Sequence, residues 1–134
     1  MSSLIACTKE TIQKPVDELK QSKDLHFGLW TFYQHEIEYY DGTTLTYKKV
    51  EKFANYTVEW KNDGSYIQNR NGSIQKGTWD LISPSVFVYD KGDAVNERYY
   101  YIIKLDSNYY YRKGPFNKVG GLYKDYLAVE YYKK

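Results

Sequence analysis

The chain has 134 residues, 19 basic and 17 acidic side chains, and a formal charge of +2, which suits one domain and a tail with roughly two thirds of its unfolded surface buried. Basic residues scattered among acids exclude a nucleic-acid binder, and a single cysteine excludes an internal disulfide framework. No apolar run approaches the ~20 residues of a membrane-spanning helix.

The first readable feature is Leu4-Ile5-Ala6-Cys7, which resembles the lipobox of bacterial lipoproteins. In such a motif Cys7 is acylated and becomes the first residue of the mature chain. Acyl burial contributes about 0.8 kcal/mol per methylene, enough for a multiply acylated cysteine to hold a domain at a membrane. The residues after it, Thr8 to Asp24, are polar enough to form a solvated tether. Thr8 rather than aspartate after the cysteine implies the outer membrane of a bacterial cell envelope. Met1-Ser2-Ser3 lacks the basic start and apolar core of a signal peptide, so a targeting segment is expected upstream. Without it the chain is expected to be soluble. Pro15, Asp17 and Glu18 suit a helix start, and Val16 and Leu19 share a face, predicting about two turns that end before Ser22 to Asp24.

Beyond Gly28 the pattern is of strands and turns. The predicted strands are 30–40, 44–50, 56–60, 65–70, 74–82, 86–89, 98–105, 109–113 and 122–132. Asp41-Gly42, Asn62-Asp63-Gly64, Asn71-Gly72, Lys91-Gly92-Asp93 and Asp106-Ser107-Asn108 supply turns. A loop from Gly114 to Gly121 precedes the last strand. Seventeen tyrosines, three tryptophans and five phenylalanines favour pleated surfaces. Trp79 and Leu81 alternate with Thr78 and Asp80, and Leu127, Val129 and Tyr131 with Ala128 and Glu130. Regular short strands predict an all-β, up-and-down antiparallel barrel of eight or nine strands. Residues 1–24 form the tether and 25–134 the barrel domain.

Gly28-Leu29-Trp30 matches the Gly-x-Trp signature of lipocalins. Asn62-Asp63-Gly64-Ser65-Tyr66 and Gly77-Thr78-Trp79-Asp80-Leu81 resemble the lipocalin-like domains of Bacteroidetes lipoproteins, from about Leu25 to the C-terminus. The resemblance implies a calycin-type barrel with Trp30, beside Gly28, plugging its closed end. An arginine of the last strand often covers that tryptophan. None stands near this C-terminus, so Lys133 or Lys134 would have to substitute. Asp106-Ser107-Asn108-Tyr109 is a poor version of the second lipocalin motif.

Chemistry is sparse. His26 and His35 belong to no metal-ligand cluster, and there is no phosphate loop, nucleophile elbow or Cys/His pairing. Glu36 and Glu38 share a face and could pair as acid and base, but strand carboxylates usually face water. The expectation is therefore no enzyme, no cofactor, no metal and no nucleic-acid partner, in a monomer. An eight-stranded barrel has room for side chains or one small ligand. The predicted function is non-catalytic binding of a small, largely apolar molecule in the barrel mouth. Tyr66, Trp79, Phe87, Tyr101 and Tyr110 are its candidate cavity residues. The alternative is a barrel filled by its own aromatics that presents a tyrosine surface to a protein or glycan, from the triplets Tyr99-Tyr100-Tyr101 and Tyr109-Tyr110-Tyr111. A hydrolase built on Glu36 and Glu38 is a more remote alternative.

Overall fold

A computed structural model describes residues 17–134. Cys7, most of the tether and the helix start read at Pro15 lie outside the described residues. Among the described residues one helix, α1 (Glu18–His26), precedes nine strands. They are β1 (Gly28–Asp41), β2 (Thr44–Lys52), β3 (Tyr56–Trp60), β4 (Ser65–Arg70), β5 (Ser73–Ser83), β6 (Val86–Tyr89), β7 (Arg98–Leu105), β8 (Tyr109–Phe116) and β9 (Tyr126–Lys133).

Every neighbouring pair is antiparallel, and β1 pairs with β9, so β1 and β3 to β9 close an eight-stranded barrel with β2 as an extra strand. One edge of β1 serves two partners: Gly28–Thr31 pair with β3, and Gln34–Asp41 pair with β2. β2 and β3 therefore run in succession along β1, parted at residues 53–55, where Asn55 takes a positive φ of 56°. The Asn71-Gly72 turn has φ values of 51° and 90°, the left-handed pair that matches the twist of a two-residue hairpin.

Three predicted boundaries need correction. α1 continues through Ser22–Asp24 to His26, with Asp17 as its N-cap accepting the Lys20 amide at 2.9 Å. A Lys20–Asp24 ion pair at 2.8 Å helps, but the decisive contact is His26, buried in the barrel end. Packing of this kind rescues helices too short to persist alone. The second correction is at Gly114-Pro115, read as loop but lying within β8, where Gly114 pairs with Ala128. A Cβ there would sit 2.5 Å from Cδ2 of Tyr100 and 2.7 Å from the Tyr99 carbonyl. The glycine is thus a seat for a ring rather than a strand breaker. Leu122 makes only an isolated bridge to Phe116, so β9 begins at Tyr126.

Trp30, Phe32, Val58, Trp60, Tyr66, Trp79, Leu81, Phe87, Tyr89, Tyr100, Tyr110 and Tyr132 form one interior cluster. At its base, α1 crosses the barrel end and the His26 ring lies 4.5 to 5.0 Å from those of Trp60, Trp79, Phe87 and Tyr110.

Candidate functional site

The closed end is built around Trp30, fully buried, whose Nε1 donates to the His26 carbonyl at 2.9 Å. Lys134 supplies the cation: its Nζ stands 4.7 Å from the Trp30 ring centre and donates to the Phe27 carbonyl at 2.8 Å. Gly28 permits this approach. It has φ 113°, and a Cβ would meet the Lys134 side chain at 3.3 Å. Partial burial holds the Lys134 amine below its ordinary range. His26 is buried with neither ring nitrogen bonded within the described residues. Burial first, then the charges of Arg112 and Lys134, push its pKa well down, so the ring is neutral at neutral pH.

The barrel middle is occupied by Arg112, a residue the alternation pattern did not single out. It is 2% exposed. Its Nε donates to Glu130 Oε1 at 2.7 Å, and Nη2 donates to the hydroxyls of Tyr89 and Tyr132 at 2.9 Å each. The guanidinium carbon stands 3.9 Å from the Tyr100 ring centre and 4.8 Å from that of Phe87. Burial opposes the charge, but the oxygens of Tyr132, Tyr89 and Glu130 keep the guanidinium protonated. Glu130 points inward, against the expectation that strand carboxylates face water. Its fixed partner is the across-strand Arg112 of β8.

Above this plug the barrel opens into a cup of about 230 Å³ where β2 parts from β3. Phe32, Phe53, Tyr56 and Tyr126 give it aromatic walls; His35 with Glu51, Glu130 and Arg70 give it polar edges. Phe32 and Phe53 lie 4.8 Å apart, and Phe32 meets Tyr56 edge-on at 4.8 Å. His35 Nε2 and Glu51 Oε1 are 2.8 Å apart, and this bond is the main cause holding the Glu51 carboxyl below its usual range. Burial, then the Glu130 carboxylate, pushes the Tyr56 phenol up to about 12, so it stays a neutral hydroxyl. The cup can take a flat apolar body and offer hydrogen bonds at its edge.

Against this geometry the five candidate cavity residues divide. Tyr66, Trp79, Phe87 and Tyr110 face inward, but into the packed interior rather than an open space. Tyr101 does not face inward: it is 47% exposed on the outer wall, against Phe116 at 4.9 Å. Its facing follows alternation from the buried Tyr100, and the register shifts between Tyr99 and Tyr101 and between Ile102 and Lys104 lie in the pairing with β8. Each triplet sends its middle tyrosine, Tyr100 or Tyr110, inside. Phe32, Phe53, Arg70 and Tyr126 were not nominated. Phe53 falls in the inter-strand break, where no alternation exists to read. The two histidines are apart, His26 at the closed end and His35 at the mouth. Glu36 and Glu38 lie outside the barrel, one accepting from the Tyr131 hydroxyl at 3.1 Å and the other 3.8 Å from Lys48 Nζ. The outer wall also carries a tyrosine group: the hydroxyls of Tyr33 and Tyr111 are 3.3 Å apart, and Tyr111 packs edge-on against Tyr131 at 4.8 Å.

A lipocalin-like protein from Bacteroides uniformis is similar in structure, with a TM-score of 0.51 over 82% of this chain and 98% of that one. The fold is a lipocalin-like barrel. At 13% sequence identity the similarity is one of architecture. No protein-family model matches the sequence, and no curated protein matches it significantly. The distribution of packing within the barrel separates a sealed base from an open mouth.

Proposed function

We propose that this is a non-catalytic binding protein that takes one small, largely apolar molecule into the cup at the barrel mouth. The observation that carries this reading is the half-buried aromatic wall of Phe53, Tyr56 and Tyr126 around a space of about 230 Å³, directly above a packed interior. That volume is just under the ~300–1,000 Å³ of typical ligand pockets, so the ligand is ring-sized. Titration with 4-(dimethylamino)benzonitrile, a neutral one-ring dye whose emission responds to its surroundings, tests it. Saturable one-site binding, weakened by Phe53→Ala and Tyr56→Ala but not by Tyr101→Ser, supports the mouth. Absence of any saturable signal sinks it.

We infer also that Cys7 is acylated and tethers the domain to a bacterial cell envelope, as a lipoprotein of the outer membrane. Support comes from the Leu4-Ile5-Ala6-Cys7 motif and the polar residues that follow it. Expression in a bacterial host behind a lipoprotein leader, with an alkyne-tagged fatty acid, should label the parent in the membrane fraction. Label that persists in Cys7→Ser would remove this assignment.

The tyrosine group on the outer wall favours a second reading, a protein- or glycan-interaction surface, because tyrosine is enriched at such contacts. Pull-down from envelope extract should then yield one stoichiometric partner that is lost on Tyr109→Ser and Tyr111→Ser.

A further inference from the structure

Resting on the mouth as the binding site, we infer that its ligand is a small aromatic carboxylate, recognised by Arg70. The inference comes from a census of charge around the cup. Two carboxylates line it, and each already has its cation. Glu130 is held by the buried Arg112 at 2.7 Å. Glu51 is 2.8 Å from His35 and 3.3 Å from Lys49 Nζ. Arg70 is the remaining charge of the lining, and among the described residues no carboxylate pairs with it and no hydrogen bond engages its guanidinium. With Arg112 and Lys49 from outside the lining set against the two carboxylates, Arg70 is left as the charge without a counterion, placed at the rim of the cup.

Arg70 is also positioned. It ends β4 immediately before the Asn71-Gly72 turn, and its guanidinium carbon stands 5.6 Å from the Tyr56 ring centre and 5.8 Å from that of Phe53. The two rings stand at 67° to each other, and cation–π attraction to both holds the guanidinium beside the cup wall with its N–H groups turned to no partner among the described residues, which suits contact with a carboxylate. The same rings wall the cup, so an aromatic body seated between them brings its acid group to the rim. A cationic ligand would meet Arg70 uncompensated. A long acyl chain has nowhere to go, because Arg112 and its tyrosines fill the barrel below. A single ring with a short carboxylate satisfies volume, wall and charge together.

Cinnamate and its neutral counterpart cinnamamide, compared by isothermal titration calorimetry on the full chain, test this. Cinnamate should bind about two- to fivefold more tightly at low salt, the range of one partly exposed ion pair. Arg70→Gln should abolish that preference without weakening cinnamamide. Arg70→Lys, which keeps the charge and loses the fork, should retain only part of it. Equal affinities for the two compounds, or a cinnamate preference that survives Arg70→Gln, would overturn the ligand class while leaving the mouth as a binding site. Failure of both compounds to bind would overturn the ligand class, and joined to failure of 4-(dimethylamino)benzonitrile it would overturn the mouth as well. Arg70 is exposed, so its substitution should not unfold the barrel, and an unchanged thermal midpoint checks this.

Discussion

Replacing Arg112 with methionine should cost this barrel a large share of its stability. The side chain fits the tunnel through its flexible apolar stem, so the loss falls on polar groups left behind. Glu130, 15% exposed at its side chain, loses the guanidinium at 2.7 Å. Removing one partner of a buried ion pair costs ~3–5 kcal/mol. The Tyr89 hydroxyl loses the Nη2 donor at 2.9 Å, and an unsatisfied buried hydroxyl adds ~1–3 kcal/mol. The Tyr132 hydroxyl keeps Glu130 as its acceptor at 3.0 Å, so it adds little. A total of about 4–8 kcal/mol results, comparable to the whole stability of a marginal domain at ~5–15 kcal/mol. Urea unfolding followed by tryptophan fluorescence measures it directly, since Trp30, Trp60 and Trp79 all lie in the interior cluster. Adding Glu130→Leu to Arg112→Met removes the orphaned charge and should restore at least ~2 kcal/mol, because buried pairs are often replaceable by apolar groups. A single variant within about 1 kcal/mol of the parent, or a double variant no better than the single, would show that the pair does not organise the interior.

His26 gives the barrel an acid limit. Its folded pKa is well below the ordinary histidine value of 6.5, so the unfolded chain binds the proton first and stability falls as pH drops below about 6.5, by up to ~1.4 kcal/mol per unit. His26→Leu should flatten that slope in thermal melts between pH ~6.5 and ~4.5, and should be neutral or stabilising at pH ~7 because both ring nitrogens lack partners; an unchanged slope would show the proton to be taken elsewhere. Gly114→Ala should destabilise by at least ~1–3 kcal/mol in urea, since the Tyr99 carbonyl at 2.7 Å cannot swing aside. Tyr101→Ser should stay within ~0.5 kcal/mol of the parent, whereas Phe87→Ala should lose ~3–5 kcal/mol, and equal losses would contradict the placement of Tyr101 outside and Phe87 inside.

Strands β3, β4, β6 and β7 have the residues read from sequence, because Asn, Asp and Gly turns bound them and aromatics fill them. The closed end was legible too, since Gly28 and Trp30 are consecutive members of one face and Lys134 is among the few cations near the C-terminus. The interior was harder. Alternation assigns a face but not its chemistry, so Arg112 and Glu130, each charged, gave no sign of facing one another inside the barrel. Tyr101 was misplaced because three tyrosines in a row look alike on either face, so the run does not show which parity turns inward, and register shifts such as those in β7 and between Phe32 and Gln34 keep that parity from being carried over from neighbouring strands. The cup depends on where β2 separates from β3, a property of a three-residue gap rather than of either strand. Its members come from five strands or their edges, and no local spacing brings Phe53, Arg70 and Tyr126 together.

The most direct test of a sealed barrel with a ligand cup at its mouth is an amide NMR titration of the labelled protein with a set of neutral and acidic one-ring compounds. Saturable shifts should gather on His35, Phe53, Tyr56, Arg70 and Tyr126, with Trp30, Tyr110 and Arg112 unmoved. Shifts centred on the interior residues, or on Tyr33, Tyr111 and Tyr131 of the outer wall, would contradict the mouth as the site of binding.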